Sequence, residues 1–192
     1  MTISMGAADQ DMRALLLQFL GAFSNVQNFA DEMVARIFFQ ARLGIAAEKV
    51  WSLAVRRIRD EERVPLFIAI AEEVESDADL SHFEETYKRC KEMRDRIAHS
   101  VRFTPDGEHL VTIQRTIIGS VTKPIPEPVE VDRSQLKEAI RDCSWLHTQM
   151  SYAMSSGGLV VKTMLRDVPH YVPKPAARPD EWGGIRLAAV EE

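Results

Sequence analysis

CKEMRDRIAHS, residues 90 to 100, closes a long stretch of helical period, and its reading decides how the rest of the chain is understood. At about 100° per residue, Leu80, Phe83, Tyr87, Cys90 and Ile97 fall on one stripe of a helix expected from about Asp79 to Ala98. The apolar run has one gap, and Arg94 fills it where a leucine belongs. A guanidinium removed from water without partners is costly, so Arg94 must meet an anion, a set of carbonyls or a wet cleft. His99 follows five residues later, about 140° further round the helix, and Asp95 is the residue on its side at the i,i+4 spacing. One straight helix does not aim Arg94 and His99 at the same point. Unwinding near Ala98, Arg94 reaching around the helix, or a second copy crossing it at a two-fold axis would bring them together.

These residues also admit a purely structural reading. A histidine at a helix end is favoured as imidazolium and can pair with Asp95. Arg94 can equally bridge to Glu72, Glu73 or another acid inside a helical bundle.

Upstream, the sequence is helical in period from about Asp9 and almost free of proline. Leu15, Leu16, Phe19, Leu20 and Phe23 mark one helix face, and Phe29, Met33, Ile37 and Phe38 a second segment that Gly44 could end. The run AAEKVWSLAVRRIRD suggests a third helix. LFIAIAEEVES, after Pro65, suggests a fourth that opens on proline in its first turn. Arg56, Arg57 and Arg59 form a basic cluster that Asp60, Glu61 and Glu62 cancel, which reads as a solvated face.

Downstream, the period changes. VRFT, a Pro-Asp-Gly turn and HLVTIQRT predict a β-hairpin. KPIPEP reads as a stiff connection, and PVEVD as a short third strand. DRSQLKEAIRDCSWLHTQMSYAMS predicts a long helix capped by Asp132 or Ser134, with Leu136, Ile140, Cys143, Leu146 and Met150 inward. From Ser155 onward glycine and proline pairs leave little regular structure, yet Leu159, Val160, Val161, Tyr171, Trp182 and Leu187 are too apolar for a solvated tail. The fold expected is mainly α: an antiparallel helical bundle with a β-hairpin insertion before the last long helix and an irregular C-terminal segment. Residues 1–154 form the helical domain, with 101–131 as the insertion, and residues 155–192 pack on it or on a partner.

The 192 residues carry a net charge of −5, with 45% hydrophobic and 28% charged side chains. That acidity argues against a broad phosphate-binding surface, since nucleic-acid affinity comes largely from Lys and Arg; a local basic cleft is still allowed. Cys90 and Cys143, the two cysteines, read as reduced core thiols. LLLQFLGAF (15–23) lacks a basic leader and reads as amphipathic helix, so no membrane segment is expected and a cytoplasmic setting is. The five histidines make no ligand pair at metal spacing and neither cysteine lies in CxxC, so no metal or cofactor is expected. Phosphate-loop and nucleophile-elbow motifs do not occur.

MRDRIAHS (93–100) resembles the signature of the HEPN superfamily of helical bundles: an arginine, usually followed by Asn, Asp or His, then three residues and a histidine. Here it reads Arg94, Asp95, Arg96-Ile97-Ala98, His99. Ser100 stands where glycine is often found, and Asp95 where asparagine is commoner, which adds a negative charge. The resemblance covers roughly residues 10–154 and implies metal-independent RNA cleavage at a homodimer cleft, in a toxin, defence or RNA-processing setting. By that resemblance His99 would take the proton of a ribose 2′-hydroxyl. Arg94 would hold the phosphate and stabilise charge on its oxygens. Asp95 would orient His99, and Arg96 would bind RNA backbone. The superfamily also implies a second reading, a non-catalytic module that holds a protein or nucleotide partner.

Overall fold

The computed structural model describes residues 7–40, 58–99, 101–104, 109–112, 128–154, 160–162, 169–184 and 188–189. Among them are four helices: α1 (Ala7–Gln40), α2 (Asp60–Glu73), α3 (Phe83–His99) and α4 (Arg133–Ala153). The chain is mainly helical. Strands β1 (Val101–Phe103), β2 (His109–Thr112) and β3 (Val129–Asp132) lie between α3 and α4 in sequence, and β4 (Val160–Lys162), β5 (Pro169–Tyr171) and β6 (Ala188–Ala189) follow α4.

The two segments expected between Leu15 and Phe38 are one helix of 34 residues. No proline interrupts it, and a single glycine, Gly21, costs a helix only about 1 kcal/mol. Phe19, Phe23, Val26, Ala30 and Met33 are its buried face. The third expected helix, up to Arg57, and Gly44 lie outside the described residues.

The fourth begins earlier than proline suggests: α2 starts at Asp60, with Pro65 inside it and exposed. Local chemistry explains the start. The backbone N–H of Arg59 donates to Glu62 Oε2 at 3.0 Å, and three acids in the first turn suit the positive end of the helix dipole. Those interactions outweigh the one backbone hydrogen bond that Pro65 removes. The helix ends in a reciprocal pair of backbone bonds, Ser76 N–H to Ala71 O at 2.9 Å and Glu75 N–H to Glu72 O at 3.0 Å, with Glu75 at φ 53° in the left-handed region.

Helix α3 starts at Phe83, after a turn in which Asp79 Oδ1 accepts from the Ser81 N–H and hydroxyl at 3.1 and 2.7 Å. Its stripe is as the spacing predicts. Phe83, Tyr87, Cys90 and Ile97 are buried, and Leu80 packs partly buried against the core.

The hairpin forms in the expected place. β1 and β2 are antiparallel with Arg102 opposite Val111, and β3 pairs antiparallel with β2, Val131 opposite Leu110. Leu110 and Val131 are thus the inward pair of this sheet. The Pro-Asp-Gly turn lies outside the described residues.

Asp132 ends β3 and caps α4. Its Oδ1 accepts from Gln135 N–H at 2.8 Å and from the Ser134 hydroxyl at 2.6 Å, and its own N–H donates to Gln135 Oε1 at 2.9 Å. The Ser134 hydroxyl first, and the Gln135 amide next, hold the Asp132 carboxyl below the usual carboxylate range. The cap's contribution is therefore complete above the unfolded carboxylate range and is lost as pH falls from that range through the lowered folded value. Asp132→Ala is expected to cost about 1 kcal/mol in urea unfolding at neutral pH, and less in acid.

Leu136, Cys143, Leu146 and Met150 of α4 are buried, with Ile140 partly so. They meet the α1 face, and Trp145 faces Phe83 of α3 at a ring separation of 6.2 Å. Phe67 of α2 reaches the same cluster, 4.9 Å from the Phe83 ring.

The segment after α4 is more regular than its glycines and prolines suggest. β4, β5 and β6 form an antiparallel sheet in that order, Val161 opposite His170 and Tyr171 opposite Ala188. The reason is local: β-branched Val160 and Val161 favour extended backbone, and Pro169 occupies the first position of its strand, where a missing N–H is tolerated. Residues 172–184 then run against the helices. The carbonyl of Ala176 accepts from Trp145 Nε1–H at 2.8 Å and from Gln149 Nε2–H at 3.0 Å. Lys174 Nζ pairs with Asp77 Oδ2 at 3.2 Å.

Candidate functional site

Arg94 lies where α3 crosses α1 and α2, and its two terminal nitrogens are both engaged. Nη2 donates to Asp60 Oδ2 at 2.8 Å, and Nη1 pairs with Asp95 Oδ1 at 3.0 Å. The guanidinium carbon stands 5.3 Å from the centre of the Phe23 ring, a cation–π distance. Nε is buried with no hydrogen-bond partner. The anion that the stripe demands is thus supplied by the chain itself, from the first residue of α2.

Asp60 is the hub. Its Oδ1 accepts from Gln27 Nε2 at 2.8 Å and from Arg63 Nη1, one turn along α2. Arg63 reaches back to α1, donating from Nε to Asp31 Oδ1 at 2.8 Å and from Nη2 to Asp31 Oδ2 at 3.2 Å. At the other end Asp95 also takes Lys91 Nζ at 3.1 Å. The order is Asp31, Arg63, Asp60, Arg94, Asp95, Lys91: alternating sign, three carboxylates against three cations, joining three helices. Side-chain exposure runs from 17% at Arg63 to 33% at Asp95, so solvent screens these pairs only in part.

Of the residues singled out by sequence, Arg94 and Asp95 are therefore brought together, but as partners of each other. Arg96 is half-exposed and takes no part in the chain of pairs. His99 is the last residue of α3, and its side chain lies outside the described residues. Glu72 and Glu73, suggested as bridges to Arg94, do not hold it; Asp60 does. In the sequence Asp60 belongs to a charge run that reads as a solvated face. The signals that could have found it are its place at the start of a helix and the i,i+4 pair Gln27 and Asp31 on α1, which present polar groups beside a buried face.

A second ionic contact crosses α3 and α4. Arg89 donates to Asp142 Oδ2 from Nε at 3.1 Å and from Nη2 at 2.5 Å. The Asp142 side chain is 2% exposed, and its Oδ1 has no partner. Burial pushes the Asp142 carboxyl above its ordinary range, against the opposing pull of Arg89.

A cleft of about 460 Å³ opens between α1 and α4, bordered by Gln18, Ala22 and Phe29 on one side and Ile140, Cys143 and His147 on the other. The His147 ring lies 4.3 Å from Phe29, and burial pushes its imidazole below the ordinary histidine range. Among the described residues no group of His, Cys, Asp and Glu could hold a metal ion, and no helix is long and apolar enough to cross a membrane. No protein family model, curated relative or solved structure matches this chain.

Proposed function

We propose that the chain is a HEPN-like helical bundle that serves as a non-catalytic binding module for a protein or nucleotide partner. The resemblance of MRDRIAHS at the end of α3, within a mainly helical chain, supports the HEPN-like part. The non-catalytic part rests on one observation: both terminal nitrogens of Arg94 are held by carboxylates, one of them fixed from three sides. A phosphate taken by Arg94 would have to displace Asp60 and Asp95, which already hold both terminal nitrogens. Replacing Asp60 would also leave Gln27 Nε2 and Arg63 Nη1 without this acceptor, although Asp31 would still hold Arg63, and a half-satisfied network is worse than none.

The second reading, an endoribonuclease working at a homodimer cleft, is favoured by the 27% of the Arg94 side chain still open to water. It requires Asp60 to release Arg94, and His99 to reach a 2′-hydroxyl beside it. One assay separates the two. Purified protein incubated with total RNA is expected to leave it intact, and expression is expected to leave growth unchanged. RNA cleavage that disappears in both Arg94→Ala and His99→Ala, with melting temperatures unchanged, would replace the binding reading with the nuclease one.

A further inference from the structure

The chain has two cysteines, one on α3 and one on α4, both free and buried, and the fold brings their thiols into contact. Cys90 Sγ lies 4.0 Å from the carbonyl oxygen of Ala139, the atom that in an α-helix accepts the N–H of the residue four positions on, Cys143. The Arg89–Asp142 pair is the rung immediately before, so an ion pair on a buried carboxylate holds the register in which the two thiols meet. Contact with the Cys143 thiol, and then burial, push Cys90 far above the ordinary thiol range. Each of the two cysteines is 1% exposed. Only Cys143, however, borders the cleft between α1 and α4, and His147 borders it one helical turn further on.

We propose that Cys90 and Cys143 are a peroxide-sensitive dithiol, in which Cys143 is oxidised through the α1/α4 cleft and Cys90 resolves it to a disulfide joining α3 to α4. The division of labour follows from access. A hydroperoxide, little larger than water, reaches Cys143 from the cleft, whereas Cys90 lies behind it. His147 is uncharged at neutral pH because burial disfavours its cation, so it can accept the Cys143 proton. The Cys143 sulfur then attacks one peroxide oxygen; the O–O bond breaks, and the departing oxygen leaves as water with the proton returned by His147. The product is a sulfenic acid. Cys90 sulfur attacks the Cys143 sulfur, the S–O bond breaks, and a second water carries off the Cys90 proton. Two thiols are oxidised by two electrons, and one hydrogen peroxide is reduced to two waters. Burial makes both thiols slow, which suits a response to sustained oxidant.

The test uses the full chain, reduced and then treated with hydrogen peroxide. The expected result is loss of both free thiols, a monomer lighter by two hydrogens, and a Cys90–Cys143 linked peptide after digestion. In Cys90→Ser, dimedone is expected to trap a sulfenic acid on Cys143; in Cys143→Ser, no adduct forms on Cys90. His147→Asn is expected to slow the loss of thiols. Two thiols still alkylated by iodoacetamide after peroxide and unfolding would overturn the proposal, as would a disulfide formed only between two chains or a dimedone adduct on Cys90. If a serine variant loses its circular dichroism spectrum, the wild-type peptide map alone decides.

Discussion

Arg89→Met is expected to destabilise the protein by about 3 kcal/mol at neutral pH, the lower end of what removing one partner of a buried pair costs. The partner left behind is Asp142, 2% exposed and already short of a hydrogen bond at Oδ1. The lower end applies because the Arg89 side chain itself is 48% exposed, so water shares its charge in the native protein. The pH dependence gives the prediction its sign. Asp142 is raised above its unfolded value by burial, and without Arg89 only the weaker pull of Arg141 opposes that rise. The folded variant then holds its proton more tightly than the unfolded chain. Its deficit is smallest in acid and grows as pH climbs from the unfolded carboxylate range through the raised folded value. Urea unfolding at several pH values checks this, and adding Asp142→Asn to Arg89→Met is expected to recover most of the loss at neutral pH. A deficit independent of pH, or one the second substitution deepens, contradicts a buried charge at Asp142.

Trp145→Ala is expected to cost about 3–5 kcal/mol, for two physical reasons. The residue is 0% exposed between α3 and α4, so truncation opens a cavity beside Phe83. It also supplies one of the two donors to the Ala176 carbonyl. Trp145→Phe separates them: it keeps most of the packing and is expected to cost about 1 kcal/mol. Limited proteolysis provides a second readout, with cleavage within residues 172–184 expected in Trp145→Ala well before the wild type. Equal losses in the two variants would show that the hydrogen bond, and not the packing, dominates.

How much of this was legible in the sequence depends on the distance over which each feature is decided. The α3 stripe, the Asp132 cap and the three strands between α3 and α4 are local, set by side-chain period and by residues three or four apart. Arg94 was visible as a charge on an apolar stripe, and the need for an anion followed. Which anion did not, because Asp60 meets Arg94 only through the crossing of α2 and α3, and the charge run around Asp60 reads as solvated. Pro65 misled in the other direction: proline is commonest in a first turn, but the Glu62 contact with Arg59 starts the helix earlier. The sheet after α4 escaped because strands of two and three residues are too short to show alternation. The Cys90–Cys143 contact likewise depends on helix register, which no short stretch encodes.

The claim on which the functional reading turns is that the charge of Arg94 is spent inside the protein, on Asp60. The most direct measurement is a double-mutant cycle between Asp60→Ala and Arg94→Ala, followed by urea unfolding. The account predicts single losses that do not add, with a coupling of about 1–2 kcal/mol, reduced in high salt because the pair is partly screened. Strictly additive effects, with Arg94→Ala leaving stability untouched, would show an arginine held in reserve for a ligand and would contradict the account.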